Sequence, residues 1–352
     1  MTSSLPTSGT SGLSTSGTSG LPTSGTSGHA TPTGSGTGRS MSGRRFVVLG
    51  CALTVAVMAA SAAVHVAWDP YGLFRDTSTR TINIWHNERT SKYLLAHRYV
   101  PENFDGLLIG PSLAANLDTS LLLPYRVFNG AINGGNITEL SLVAEQAMND
   151  GKMRFLVVCL TPYITQDHGR KSSYMVPAEY WGALGSLETF KLAVHRTFIA
   201  LGREANLFTP FGRNHYNILK PAMTEAEIRA AIEKNRHRYG TIRIDEEAVT
   251  ELDGLLDAAR GRGLKVFAYF YPYLKDRYTI WGTNYDTFKA RMMALLEPGD
   301  VVWDMNTPEY DALTRDYSNY YDMAHLSDKG STFVLGEIRA HIESALGPVA
   351  GR

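Results

Sequence analysis

The stretch GLLIGPS, residues 106–112, decides the fold. Five apolar or glycine residues run without interruption into a Gly-Pro-Ser turn. A run this short that does not alternate is the pattern of a strand buried on both faces. Four more runs of the same kind follow: 125–131 (YRVFNGA), 155–162 (FLVVCLTP), 265–272 (KVFAYFYP) and 300–306 (DVVWDMN). Each ends in turn-type or polar residues. Helical periodicity between or after them predicts helices over 138–148, 246–260, 285–296 and 329–346. Such strand–helix alternation specifies an α/β fold with a parallel, doubly wound sheet and right-handed crossovers. Functional groups are then expected at the carboxyl ends of the strands.

Residues 163–243 do not fit that alternation. They are rich in Tyr, His and Arg, with helices expected over 187–201 and 225–236. A segment that long is read as a lid or binding subdomain inserted into one domain, because structureless loops of this length are uncommon in compact domains.

Upstream, the character of the chain changes twice. Residues 1–43 are almost wholly Thr, Ser, Gly and Pro, and the octad L-[P/S]-T-S-G-T-S-G repeats in tandem over 5–12, 13–20 and 21–28. This offers almost nothing to bury and reads as a disordered tail. Met41, followed by Ser-Gly-Arg-Arg and an apolar run, is an alternative start of the chain. The 23 residues from Phe46 to Trp68 contain no Asp, Glu, Lys or Arg. As a helix they would span roughly 34 Å, enough for a hydrocarbon core of ~30 Å. Arg39, Arg44 and Arg45 precede the run, and Trp68 and Tyr71 stand at its far end. Positive charge on one side and aromatics on the other place the N-terminus in the cytoplasm and the remainder outside. The apolar stretch exceeds the ~7–15 residues of a signal-peptide core, so a single-pass anchor is favoured over a cleaved signal, although 59–63 (AASAA) offers small residues to a peptidase. Residues 69–352 are the working part of the chain.

Composition narrows the function. The 352 residues carry 34 Lys and Arg against 34 Asp and Glu, which argues against a nucleic-acid binder. All of the acidic residues and all but three of the basic ones fall from Asp69 onward, so the ectodomain is mildly acidic. Cys51 and Cys159 make no disulfide framework, and no Cys/His cluster has the spacing of a metal site. No cofactor is implied. The glycine-rich run 128–136 (FNGAINGGN) is not a dinucleotide fingerprint.

Two elements carry chemistry. Ser112 sits on the strand-to-helix turn after the first strand, where a hydroxyl projects above the sheet edge and backbone N–H groups point at a developing oxyanion. An ordinary helix N-cap is the competing reading of the same serine. Asp322 and His325 lie three residues apart in 322–330 (DMAHLSDKG), just before the last helix. The carboxylate can hold one imidazole nitrogen while the other faces a nucleophile, the relation of orienter and base in a Ser-His-Asp triad. Asp322 as a loop cap beside an idle His325 is the alternative.

Taken together, Ser112 after the first strand and the D-x-x-H-L-S-x-x-G block before the last helix resemble the SGNH (GDSL-like) hydrolase superfamily over roughly 104–346. The resemblance implies a flavodoxin-like three-layer sandwich. It implies Ser112 as nucleophile, His325 as general base and Asp322 as its orienter. It also implies that a glycine of the second block, Gly134 or Gly135, lends an N–H to the oxyanion hole; the same glycines also read as a turn capped by Asn136. Pro111 stands where the family has Asp. No G-x-N-D third block is present, the third strand ending in Leu160-Thr161-Pro162-Tyr163, so the side-chain oxyanion donor is open, with Asn133 and Asn136 as substitutes. A membrane helix followed by such a domain resembles the anchored subgroup that serves O-acetylation of alginate-type polysaccharides and D-alanyl transfer to teichoic acids. That likeness implies an acylated polysaccharide or acyl donor as ligand and a multi-spanning membrane acyltransferase as partner. A domain that kept the fold as a glycan-binding or scaffolding component is the competing function. Tyr271, Tyr273 and Asp304 fall near strand ends, and the 269–273 aromatics (YFYPY) serve either core packing or sugar stacking.

Overall fold

The structure, a computed structural model, describes residues 42–149 and 152–347. The octad repeats lie outside the described residues. The chain divides into two compact units, the first ending at Cys51 and the second running from Ala52. Helix α1 (Gly43–Trp68) has a mean hydropathy of 2.3, and none of its residues is buried. By length and composition it is able to cross a membrane.

The second unit is built on five parallel strands, β1 (Gly106–Ile109), β2 (Val127–Asn129), β3 (Phe155–Leu160), β4 (Lys265–Phe270) and β5 (Val301–Asp304), in the order β2-β1-β3-β4-β5. Every residue of β1, β2 and β3 is buried, as uninterrupted apolar runs require. Gly106 pairs with Val127 on one side and with Phe155 on the other, which puts β1 at the centre of the first half of the sheet. The chain moves outward from β1 to β2 and then returns past β1 to β3, so the direction of winding reverses between β1 and β3. Open α/β sheets bind their ligands in the crevice at that switch point.

Before the sheet come α2 (Glu88–Leu95) and α3 (Tyr99–Asn103). Then follow the single turn α4 (Ser112–Ala115) and α5 (Ile137–Met148), whose first turn is capped by Asn136 accepting from Glu139 N–H. The inserted segment holds α6 (Pro177–Gly182), α7 (Leu187–Ala200), α8 (Glu225–Lys234) and α9 (Arg236–Tyr239). Helix α10 (Glu246–Gly261) leads into β4, α11 (Lys275–Trp281) and α12 (Thr283–Met293) into β5, and α13 (Asp311–Thr314) and α14 (Asp328–Leu346) close the chain. Tyr269 and Phe270 are neighbours on β4 and so face opposite sides of the sheet. Phe270 packs edge-on against Phe288 of α12, whereas Tyr269 stacks on Trp303, which in turn stacks on His341 of α14. Helices therefore cover both faces, giving three layers. Burial of Leu107, Ile109, Val157 and Phe267 contributes about 1.5–3 kcal/mol apiece.

The segment 163–243 is tied to the sheet. Phe211 C=O accepts from Asn129 N–H at the end of β2, and Arg213 donates to Asn116 C=O and pairs with Asp328 at 2.5 Å. Its middle is tied to the carboxyl edge of the sheet, the edge that carries the site.

Candidate active site

β1 ends in a turn that only glycine permits. A Cβ on Gly110 would lie 2.7 Å from Cys159 Cβ of β3 and 3.0 Å from Ala114 Cβ. The missing side chain lets the strand fold tightly into α4, and Ser112 becomes the first residue of that turn, above the carboxyl end of β1.

The chain returns to this point more than two hundred residues later. Ser112 Oγ lies 3.1 Å from His325 Nε2. On the far side of the ring, His325 Nδ1 lies 2.9 Å from Asp322 Oδ2 and 3.1 Å from Oδ1. Oδ1 also accepts the backbone N–H groups of Ala324, at 2.7 Å, and His325, at 2.8 Å. Burial pushes the pKa of Asp322 up, but hydrogen bonds and charge from His325 and the two backbone donors outweigh it and hold the carboxyl below its ordinary value. A fixed carboxylate keeps the proton on Nδ1 and leaves Nε2 as the acceptor facing the hydroxyl. The three residues singled out from the sequence are thus brought into one hydrogen-bonded line.

Neighbouring elements immobilise the 322–326 loop. Tyr271, at the end of β4, donates to Ala324 C=O at 2.8 Å and accepts from Leu326 N–H at 3.1 Å, bracketing His325 from both sides. Arg277 of α11 donates to Met323 C=O, and Asn116 donates to Leu326 C=O. Tyr216, from the insertion, sets its ring edge-on to His325 with centroids 5.3 Å apart and donates to Ser112 C=O. Burial, with the charge of Asp322, pushes the Tyr216 phenol far up, so it stays neutral.

A cleft of about 350 Å³ opens beside this line of residues, lined among others by Ser112, Gly134, Tyr163, Arg170, Arg277 and His325. The four second-block residues fare differently. Gly134, with φ +63°, lines the cleft, and a left-handed backbone there calls for glycine. Gly135 lines it too, but its N–H is given to Ile132 C=O at 2.9 Å. Asn136 is not a free donor, since its amide donates to Asp167 C=O and Arg170 C=O while its carbonyl caps α5. Asn133 is exposed and is not among the residues that line the cleft; its N–H bonds Glu88 at 3.0 Å. Glu88 also pairs with Lys92, a fully buried cation that donates to Ala131 C=O and so supports this loop from beneath.

The sequence did not single out Tyr163, Arg277, Tyr216 or Lys92 for the site. Tyr163 occupies the turn after β3, where it faces the cleft, and its hydroxyl accepts from Arg277 at 2.8 Å. The clue was positional: residue 163 follows a predicted strand next to the switch point. Tyr273 and the rest of the 269–273 aromatics are buried, which makes them core and not a sugar platform. Among the described residues no three His, Cys, Asp or Glu side chains gather as a metal site.

No family model matches the chain, and no curated protein matches it. Among solved structures, the chain is similar to one described as "a putative platelet activating factor from Streptococcus pneumonia", at 12% identity and a TM-score of 0.40, with 74% of this chain and 91% of that chain covered.

Proposed function

We propose that the chain is a serine esterase or O-acyltransferase, anchored in the membrane by α1, that acts outside the cytoplasm on acyl groups of a cell-surface or exported polysaccharide. The observation that supports it is the Ser112–His325–Asp322 line, at 3.1 and 2.9 Å, opening on a cleft. His325 Nε2 takes the Ser112 proton as Oγ attacks the acyl carbonyl. The negative charge moves to the carbonyl oxygen, where the N–H groups of Ser112 and Gly134 are the backbone donors at hand. Tyr163, polarised by Arg277, is the side chain on the cleft wall suited to the role that Asn136 and Asn133 do not fill. Collapse returns the proton from His325 to the leaving alcohol and leaves an acyl-Ser112 ester. A sugar hydroxyl or a water, deprotonated by His325, then takes the acyl group and frees Ser112.

Hydrolysis and transfer share every one of these steps; exclusion of water divides them. Tyr216 and the tether at Arg213 give the inserted segment that position over the triad. A multi-spanning acyltransferase that delivers the acyl group fits an anchored domain, and it belongs to this proposal. Full-length protein in detergent should release nitrophenol from a short-chain p-nitrophenyl ester, and Ser112→Ala should abolish the release. A folded wild type without turnover would favour the glycan-binding or scaffolding reading.

A further inference from the structure

Outside α1, the most exposed large apolar side chains among the described residues are Trp181 and Leu187, each 68% exposed, Phe190 at 62% and Leu201 at 61%. Three of these lie on the short hairpin formed by α6 and the start of α7, so they form a patch and not a scatter. The patch does not arise from loose attachment. Tyr180, next to Trp181, is packed edge-on to Phe74 and tilted on His97, and Ala183, Thr189 and Leu192 are buried. The hairpin is held firmly on the domain and turns its other side outward.

What lies beside that outward side is α1. Met58, Ser61 and Ala62 form one groove with Trp181, Leu184 and Gly185, and a Cβ on Gly185 would stand 3.2 Å from Ser61 Oγ. Eleven residues on, Arg196 stacks its guanidinium over Trp68 and Trp85 at 5.7 and 5.5 Å. Helix α7 therefore climbs alongside α1, its start near the level of Ser61 and its last turns near the level of Trp68. Seven residues of helix separate those levels, a drop of about 10 Å. Arg80 bonds Trp68 C=O, and the exposed apolar run of α1 has ended by that point. Tryptophan and arginine at one level, with the exposed apolar side chains of the hairpin and of α1 below, is the profile of a headgroup boundary. The hairpin carries three charged groups: Glu188 pairs with Lys191 at 2.6 Å and is turned toward His86, Lys191 itself is exposed and long enough to reach up to the headgroups, and burial with the charge of Glu188 pushes the carboxyl of Glu179 up toward its neutral form.

Resting on the reading that α1 sits in a bilayer, we propose that the α6–α7 hairpin is itself seated in the lipid, with Trp181, Leu187 and Phe190 among the acyl chains and Arg196, Trp68 and Trp85 at the headgroups. The chain then grips the membrane at two points, and the domain has one fixed orientation over the surface rather than swinging on a tether. An interfacial helix that buries its apolar side about 5–10 Å behaves in this way.

The test uses the full chain reconstituted in phosphatidylcholine/phosphatidylglycerol vesicles. On a Cys51→Ser background, nitroxides are attached one at a time to Trp181→Cys, Leu187→Cys, Val55→Cys on α1 and Lys234→Cys on an exposed face. Cys159 is fully buried with its thiol pushed up to about 12 by burial, and does not compete. Relaxation by oxygen, which partitions into lipid, is compared with relaxation by a water-soluble nickel chelate. Oxygen should dominate at 181, 187 and 55, and nickel at 234. Nickel dominating at 181 and 187 while oxygen dominates at 55 would overturn the hairpin proposal alone and leave the patch to a protein surface. Nickel dominating at 55 would overturn the anchor reading and the hairpin with it.

Discussion

Asp322 accepts three N–H groups on its two oxygens, two from the backbone and one from His325. An amide in its place would keep the shape but offer an NH2 to the ring, which favours the wrong tautomer. Asp322→Asn should therefore lower kcat on the order of 10³–10⁴-fold with KM little changed; steady-state ester hydrolysis measures it. The folded carboxyl lies below its unfolded value of about 3.9. Its contribution to stability is thus complete above that value and is lost only as pH falls through the lower folded one. Tyr163→Phe keeps the ring and removes the hydroxyl that Arg277 polarises. It should lower kcat about 10–1,000-fold, with labelling of Ser112 slowed in proportion; unchanged kcat would leave the oxyanion to backbone groups alone.

The strands were legible because each is apolar on both faces, and Ser112 and the 322–325 block were legible because each is local: a turn after a strand, and two side chains three residues apart. What lay beyond reach was assembled from distance. Tyr216, Tyr163 and Arg277 come beside Ser112 and His325 only after the sheet closes, and no period or spacing connects them. Helices α2 and α3 escaped for a different reason. Lys92 is fully buried yet charged, a pattern that reads as surface until its pairing with Glu88 is seen. In the second block, capping displaced catalysis for Asn136, because a helix start leaves orphan N–H groups and a buried Asn satisfies them first. The turn between β1 and α4 is where element and site meet. Gly110→Ala would drive a methyl into Cys159 and Ala114. It should cost about 1–3 kcal/mol in urea unfolding and displace Ser112 from His325. Lost stability with full activity would show that the turn adjusts without moving the serine.

At the scale of the whole molecule, winding order does the placing. With β1 and β3 adjacent and β2 outside, the turns after β1 and β3 open toward each other, and Ser112 and Tyr163 stand on the two sides of the resulting crevice. The D-x-x-H loop reaches that crevice from the start of α14, and the insertion closes over it with Tyr216. Removing all of 163–243 would strip away Tyr163, Arg213 and Tyr216 together with the Phe211 bond to β2, so its loss would disturb the surroundings of Ser112 as well as their exposure to water. The central claim is that this arrangement activates Ser112. The most direct measurement is intact-mass and peptide analysis of the full chain after exposure to a fluorophosphonate. One adduct on the peptide bearing Ser112, absent in Ser112→Ala and strongly slowed in His325→Ala, is the expected result. A folded wild-type chain that gains no mass at Ser112 would contradict it.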